Sequence, residues 1–287
     1  MNAFTHKNNH NVSGLSAPGI TTSVASSAST SKPSLLFLAS LADAQASILP
    51  RLPVVVPPDA EALARAHDNA MPPIDRASVE PDAAFDATFE ALFDAAAAIE
   101  QPEEARAALG RLVADRALRD ACARTVLAAE RPETGLAEHA YVAAAIQVHM
   151  ARLAATLDAK TLVPVGTGAC PCCGGPPVSS TVVGWQDADG ARYCTCALCA
   201  TMWNVVRVKC TLCDSTKGIT YMGVDGGTDT VKAETCDECG RYVKILQGQK
   251  DMLVDAVADD VGSLGLDMLM QGTRYKRGAY DPFLLGY

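Results

Sequence analysis

The sequence predicts an α+β fold in which an N-terminal helical domain is followed by two tandem rubredoxin-like or zinc-ribbon knuckle units and a C-terminal helix. Three observations lead to this prediction. The chain has 287 residues, which is enough for more than one domain. Its first half is rich in Ala and carries apolar residues at helical spacing. Its second half carries four Cys-x-x-Cys pairs among Gly, Pro and short β-branched runs.

The N-terminal part divides into a tail and a helical domain. Residues 1–33 contain no acidic residue and are rich in Ser, Thr, Asn and Gly, which predicts a disordered tail. Residues 34–160 predict five to six helices. Within them Phe85 and Phe89 recur at helical spacing, and Pro102 precedes two glutamates in a pattern that is typical of a helix start.

Cysteine and histidine side chains of this helical domain are potentially reactive groups. Cys122 belongs to an apolar helical stripe, so we expect a small buried residue rather than a nucleophile. His139 and His149 lie on the last helix without an evident acid–nucleophile partner, so we expect surface or core roles. The sequence also has no Gly-rich phosphate loop and no nucleophile elbow. We therefore predict that the protein is not an enzyme.

Charge and hydropathy limit the partners and the location. The formal net charge is −9, which weighs against steering toward nucleic acid or an anionic membrane. No apolar run reaches the roughly 18–20 residues of a membrane-spanning helix. The apolar residues 35–39 start too late for a signal peptide and lead into polar residues. We expect a cytoplasmic protein without stable membrane insertion, and the sequence does not indicate its oligomeric state.

Residues 161–250 change in character toward short strands. Turn signals occur at residues 187–190 and 225–227, where Asp and Gly are concentrated. β-branched and aromatic residues between these signals predict six strands, at residues 180–185, 191–194, 201–208, 219–224, 230–233 and 242–246.

Eight of the eleven cysteines form the four Cys-x-x-Cys pairs. The first and second pairs are separated by 22 residues, as are the third and fourth, so the pattern repeats at an offset of 40 residues. Two such pairs supply four thiolates, which close a tetrahedral shell around Zn or Fe. We predict one such unit in residues 161–205 and a second in residues 206–250. The predicted metal ligands are Cys170, Cys173, Cys196, Cys199, Cys210, Cys213, Cys236 and Cys239.

The spacing leaves some details of these units open. The repeat favours tandem pairing, although a cross-brace of pair one with three and two with four is also feasible. Cys172 and Cys194 are spare sulfurs that we expect to be bystanders, with ligation by Cys172 as the alternative. Gly174 and Gly240 follow the second Cys of their pairs and permit a left-handed backbone. The corresponding residues of the other two pairs are Ala200 and Asp214, for which we expect a different backbone.

The role of the metal also has alternatives. The absence of His after His149 makes both shells all-thiolate, but spacing does not choose between Zn and Fe. A structural role is favoured, because metal binding substitutes for a core in small domains. A thiol or metal redox protein is one alternative. A nucleic-acid-binding zinc ribbon is another, although residues 161–250 hold eight basic and eight acidic side chains and so lack a cationic excess.

Residues 251–287 predict a single helix followed by a tail. Val257, Val261, Leu264 and Met268 would share one face of that helix, and Gly272 would follow its end.

The residues around the cysteines carry a resemblance to a known family. The chain resembles the FdhE family of formate dehydrogenase accessory proteins over residues 34–287, most closely from residue 168 onward. The segments that carry the resemblance are ADAQ at 42–45, CPCCG at 170–174, CALCATMWNVVRVKCTLC at 196–213, KAETCDECGRYVK at 232–244, VADD at 257–260 and DPFL at 281–284.

This resemblance implies a cytoplasmic maturation factor that contacts the catalytic subunit of a membrane-bound respiratory formate dehydrogenase before export. It also implies rubredoxin-like iron bound through the Cys pairs. We therefore expect two metal ions, with Fe favoured and Zn possible. Residues 274–287 are our candidate for part of the client-binding surface.

Overall fold

The computed structural model describes residues 32–224 and 226–284. Residues 1–31 of the predicted disordered tail lie outside the described residues. So do Asp225, which belongs to a predicted turn, and residues 285–287 of the predicted C-terminal tail. The described part confirms the α+β class, with a helical region first, then a sheet, then helices.

Six α-helices form the N-terminal region of the described chain. Asp59, Asp82 and Asp115 each accept a hydrogen bond from a first-turn amide of the helix that follows, so the caps define three of the helix starts. Pro102 precedes the two glutamates at the start of α4, as the sequence predicted. The helices are α1 Lys32–Ile48, α2 Ala60–Asp68, α3 Ala83–Ala97, α4 Glu103–Ala114, α5 Arg116–Ala128 and α6 Leu136–Ala154; short 3₁₀ turns lie at Leu49–Arg51, Arg76–Ser78 and Ala159–Thr161.

Helix α6 is the centre of this bundle. It is buried on nearly all sides, from Tyr141 to Ala151, and packs against α1, α3, α4 and α5. Most side chains around the middle of this helix are apolar, as expected for a helix in the interior of a bundle rather than at its surface. Cys122 is buried in the same core, as predicted, and His139 and His149 are buried on α6.

The second half of the described chain forms one sheet. The strands are β1 Pro177–Val182, β2 Arg192–Cys196, β3 Met202–Val205, β4 Ile219–Met222, β5 Val231–Cys236, β6 Arg241–Gln247 and β7 Lys276–Arg277. Their order is β3-β2-β1-β6-β5-β4, and β7 pairs with β6. Each knuckle unit contributes an antiparallel three-stranded half, and the parallel pairing of β1 with β6 joins the halves.

A buried arginine connects the two halves of the sheet. Arg192 on β2 forms a two-pronged ion pair with Glu234 on β5, at 2.9 Å for each oxygen. It also donates to the carbonyl of Lys209, which precedes the third cysteine pair. Both side chains of the ion pair are almost fully buried, and either charge would be unfavourable in this place without the other. The pair therefore fixes the register of the two halves of the sheet.

The C-terminal region differs from the predicted single helix. It contains two short helices, α7 Ala258–Gly262 and α8 Leu264–Gln271, with a break at Ser263. The buried ammonium of Lys244 on β6 lies 2.6 Å from the carbonyl oxygen of Asp260 and 3.3 Å from that of Ser263. The Asp260 carbonyl would otherwise accept a bond within a continuous helix, so its capture by Lys244 accounts for the break, whereas the Ser263 carbonyl still accepts the amide of Leu266. Met268 is exposed rather than on the packed face.

Candidate metal centres

The structure brings the eight predicted ligand cysteines into two clusters. Centre 1 consists of the sulfurs of Cys170, Cys173, Cys196 and Cys199, and centre 2 of those of Cys210, Cys213, Cys236 and Cys239. In each centre all four sulfurs lie within 4.8 Å of one another. The spacing left a tandem pairing and a cross-brace open, and the structure has the tandem pairing. Within residues 32–224 and 226–284, these are the groups of His, Cys, Asp and Glu that could hold a metal ion.

The sulfur spacing matches a tetrahedral ion. A shell with metal–sulfur bonds of about 2.3 Å places neighbouring sulfurs about 3.8 Å apart. In centre 1 the Sγ–Sγ distances are 3.7 Å for Cys170–Cys199 and 3.4 Å for Cys173–Cys196. In centre 2 the corresponding pairs are 3.9 and 3.7 Å apart. These distances suit one ion per cluster.

All four knuckle turns have the same backbone, which corrects one expectation. Gly174 and Gly240 take positive φ as predicted, but Ala200 at +57° and Asp214 at +62° do so too. The turn itself imposes this conformation, because the residue after the second Cys closes it by donating to a preceding carbonyl, as Gly174 and Asp214 do. The left-handed region disfavours Ala, while Asp tolerates it better.

Backbone amides point at the first sulfur of the knuckles. The amides of Cys172, Leu198 and Leu212 each lie 3.4 Å from the Sγ two residues earlier. Such amide contacts favour the thiolate form and orient metal ligands. The thiol of Cys199 in turn donates to the hydroxyl of Thr201, at 3.2 Å.

The two spare cysteines occupy different places. Cys172 is buried beside centre 1 and interacts with the Cys199 thiol, but it is not among the four clustered sulfurs. Cys194 lies on β2, and burial raises the pKa of its thiol to about 12. An inert, neutral thiol is the expected state of such a residue.

The electrostatics of both centres call for a cation. Burial raises the pKa of Cys170 well above its ordinary value, and burial also raises that of Cys210. Burial acts in the same direction on Cys199, but hydrogen bonds from the neighbouring thiols outweigh it and lower that pKa. Several thiolates within 4.8 Å of one another repel each other unless a positive charge lies between them. A divalent or trivalent metal ion provides that charge.

Centre 1 packs directly against the helical region, a contact that the sequence pattern did not predict. Gln147 of α6 donates to the carbonyl of Ala197, inside the second knuckle, at 2.9 Å. Gln45 of α1 in turn donates to Gln147 at 3.2 Å. The amide of Ile74 donates to the carbonyl of Cys172 at 3.0 Å. The cysteines of centre 1 and the helices share one apolar core.

None of the helices that the structure describes is both long and apolar enough to cross a lipid bilayer.

Comparisons with known proteins match almost the whole chain. Three consecutive family models match: the FdhE N-terminal domain at residues 24–167, the central domain at 169–207 and the C-terminal domain at 208–284. A protein FdhE homolog from Rhizobium meliloti (strain 1021) is 48% identical over 258 residues, which cover 89% of this chain and 84% of the relative. A homolog from Yersinia enterocolitica is 40% identical over 165 residues, covering 56% of this chain and 53% of the relative.

A solved structure has the same fold. The crystal structure of the FdhE protein from Pseudomonas aeruginosa aligns with a TM-score of 0.84 at 28% sequence identity, and the alignment covers 98% of each chain.

Proposed function

The chain belongs to the FdhE family, and on that premise we propose that it is an accessory protein required for an active respiratory formate dehydrogenase. The observation that carries the proposal is the match of three consecutive FdhE family models between residues 24 and 284. We propose that the protein acts in the cytoplasm on the catalytic subunit of the dehydrogenase, before that subunit is exported, and that it is not itself an enzyme.

We further propose that the chain binds two metal ions, one in each cysteine cluster. The sulfur spacing and the need to compensate buried thiolates support this proposal. Iron is favoured by the family resemblance, and zinc also accepts four thiolates. Bound iron would supply a one-electron couple, whereas bound zinc would supply structure alone. The chain's own part is to hold the sulfurs, direct amides at them and exclude water from centre 1.

A gene deletion in the source organism tests the accessory function. We expect loss of formate oxidation by the membrane enzyme while its subunits are still expressed, and recovery when the intact gene is returned. Undiminished formate oxidation in the deletion strain would contradict the proposal.

Purification without oxygen, followed by elemental analysis and a visible spectrum, tests the metal proposal. We expect about two metal ions per chain, and the spectrum separates iron from zinc. Cys170→Ser and Cys236→Ser should each lose about one ion. Cys122→Ala, which removes a buried sulfur outside both centres, should retain both. Unchanged metal content in the two serine variants would refute the ligand assignment.

A further inference from the structure

We propose that the two centres divide their roles: centre 1 holds its metal inertly as a structural link, and centre 2 is the site whose metal exchanges with ligands from solution. The inference rests on the proposal that both clusters bind metal. The new element is that only centre 2 admits small thiol, nitrogen or carboxylate ligands from solution to its metal.

The first argument is the difference in burial of the sulfurs. Every cysteine of centre 1 is buried, with at most 1% of its surface exposed. In centre 2, Cys213 and Cys239 are partly exposed, each being one member of its Cys-x-x-Cys pair. An incoming ligand must reach a metal or a sulfur to displace it, so exposure of one sulfur from each pair gives centre 2 an entry path that centre 1 lacks.

The second argument is the material that covers centre 1. Gly175 lies so close that a Cβ at this position would stand 3.1 Å from the Sγ of Cys196 and 3.2 Å from that of Cys173. The side chain of Leu198 is buried against the same glycine. On the outer side, Gly174 packs against Pro72 of the helical region. The pocket is therefore filled at the sulfurs themselves and closed by a second layer.

The 40-residue repeat allows the same positions to be compared in centre 2. Leu198 corresponds to Glu238, and Ala197 corresponds to Asp237. Leu198 and Ala197 of centre 1 are buried, whereas both acidic residues of centre 2 are exposed. Apolar residues between the ligands suit a knuckle that is embedded in the protein, and acidic residues suit one that faces water. The sequence itself therefore encodes the difference between the two centres.

The C-terminal segment lies on one flank of centre 2. Arg274 and the hydroxyl of Tyr275 contact the carboxylate of Asp237, at 2.5 and 2.6 Å, and all three side chains lie toward solvent. Gly278 packs on Leu212, within the third cysteine pair. These contacts support the knuckles from the side, while Cys213 and Cys239 keep part of their surface accessible.

Chelator-driven release from the full-length, zinc-loaded protein tests this inference. An excess of a metallochromic chelating dye is added as the zinc acceptor, and its change in absorbance follows zinc release over time. Two zinc ions per chain at the start establish the underlying metal proposal independently of the release rates. We expect two phases of one ion each, with the slow phase more than about ten-fold slower, because closed surroundings hold metal more firmly.

Alkylation with iodoacetamide during the reaction assigns the phases. Peptide mass analysis should find label first on the cysteines of centre 2 and later on those of centre 1. Cys213→Ser, which alters only the open centre, should retain the slow phase and lose the fast one. Release of both ions at one rate, or earlier labelling of Cys170 or Cys173, would overturn the assignment, even if the protein contains two zinc ions.

Discussion

Ala200 adopts a backbone conformation that its side chain disfavours. Its φ is +57°, in the left-handed region where glycine is favoured, and the repeat places Gly240 in the same role one unit later. The cost of this conformation for a non-glycine residue is about 1–2 kcal/mol, which exceeds the extra flexibility that glycine brings to the unfolded chain.

We therefore predict that Ala200→Gly raises the free energy of unfolding by about 0.5–1 kcal/mol. Urea unfolding of the metal-loaded protein measures the change. The matched control is Ala197→Gly in the same turn, where φ is not positive and the methyl group is buried. That variant should be less stable than the native chain. A loss of stability in Ala200→Gly would show that its methyl group has a packing role that outweighs the backbone strain.

His149 introduces a pH dependence into the helical core. The ring is 3% exposed, packs edge-on against Phe85 and leaves Nδ1 without a partner. Burial lowers its pKa from 6.5 to about 4, with Arg152 acting in the same direction and Asp82 opposing. Because the pKa is lower in the folded state, the full contribution of the neutral ring to the free energy of unfolding is present above pH 6.5. Stability is then lost as the pH falls from 6.5 toward 4, because the unfolded chain binds the proton first.

We predict that His149→Leu flattens this acid dependence. Between pH 7.5 and pH 5.5 the native chain should lose about 1 kcal/mol more than the variant. Urea unfolding of both proteins at the two pH values provides the comparison. Both proteins carry the same eight cluster cysteines, so acid effects on metal binding cancel in the difference. Parallel stability curves would contradict the role assigned to the ring.

At the scale of elements, a buried charge cluster fastens the C-terminal helices to the sheet. Lys244 on β6 is fully buried and lies 2.5 Å from Asp267 of α8 and 3.4 Å from Asp260 of α7. Arg277 on β7 contacts the same two carboxylates, and Tyr242 donates to Asp267. Two cations thus face these two carboxylates in a buried interface, and the neighbouring Asp281 carboxyl has a pKa raised well above its usual value by burial and by Asp260. Removal of one member leaves an uncompensated buried charge.

We predict that Lys244→Met destabilises the protein by about 3–5 kcal/mol and loosens α7, α8 and β7. Hydrogen exchange should become faster in residues 258–277 than in the helical region. The control is Lys250→Met, whose partner Asp229 and own side chain are both exposed, so the loss should stay below about 1 kcal/mol. Equal effects of the two substitutions would refute the importance of burial.

The helices and strands also show which parts of the fold can be predicted from the sequence. All six predicted strands are present, because their β-branched runs and Gly-rich turns are local signals. The two-residue strand β7 carries no such signal, and the break at Ser263 depends on Lys244, which lies 19 residues earlier. The parallel pairing of β1 with β6 joins residues about sixty positions apart and follows from assembly rather than from spacing. The two clusters of four cysteines were predictable because metal geometry constrains the spacing of the pairs, whereas the burial of centre 1 against α6 depends on tertiary packing.

At the scale of the whole molecule, centre 1 belongs to the same core as the helices. Its four sulfurs, the apolar face of α6 and several residues of α1 and α3 form one continuous cluster. The buried amides of Gln147 and Gln45 extend this core with hydrogen bonds to the Ala197 carbonyl and to each other. The helical region therefore forms part of the wall of one centre, and disturbance of that wall should affect this centre selectively.

The last prediction follows from this wall. Gln147→Leu leaves the buried Ala197 carbonyl without its donor, which should cost about 1–3 kcal/mol. Because this carbonyl lies between Cys196 and Cys199, zinc release from centre 1 should accelerate by about ten-fold, as expected for loss of an outer contact at a metal site. Release from centre 2 should not change. Zinc release to the chelating dye and cysteine labelling measure both rates in the same protein.

Gln101→Leu separates this effect from a general loss of stability. Gln101 is equally buried, at 8% exposure, and its amide donates to the Ala96 carbonyl within the helical region rather than to a knuckle. Its substitution should lower stability to a similar extent while both release rates stay native. If the two variants accelerated release from centre 1 equally, global opening would control the release of metal. If neither did, the knuckle would hold its metal without help from the Gln147 hydrogen bond, and the helical region would be linked to centre 1 through the Ile74–Cys172 hydrogen bond and apolar packing.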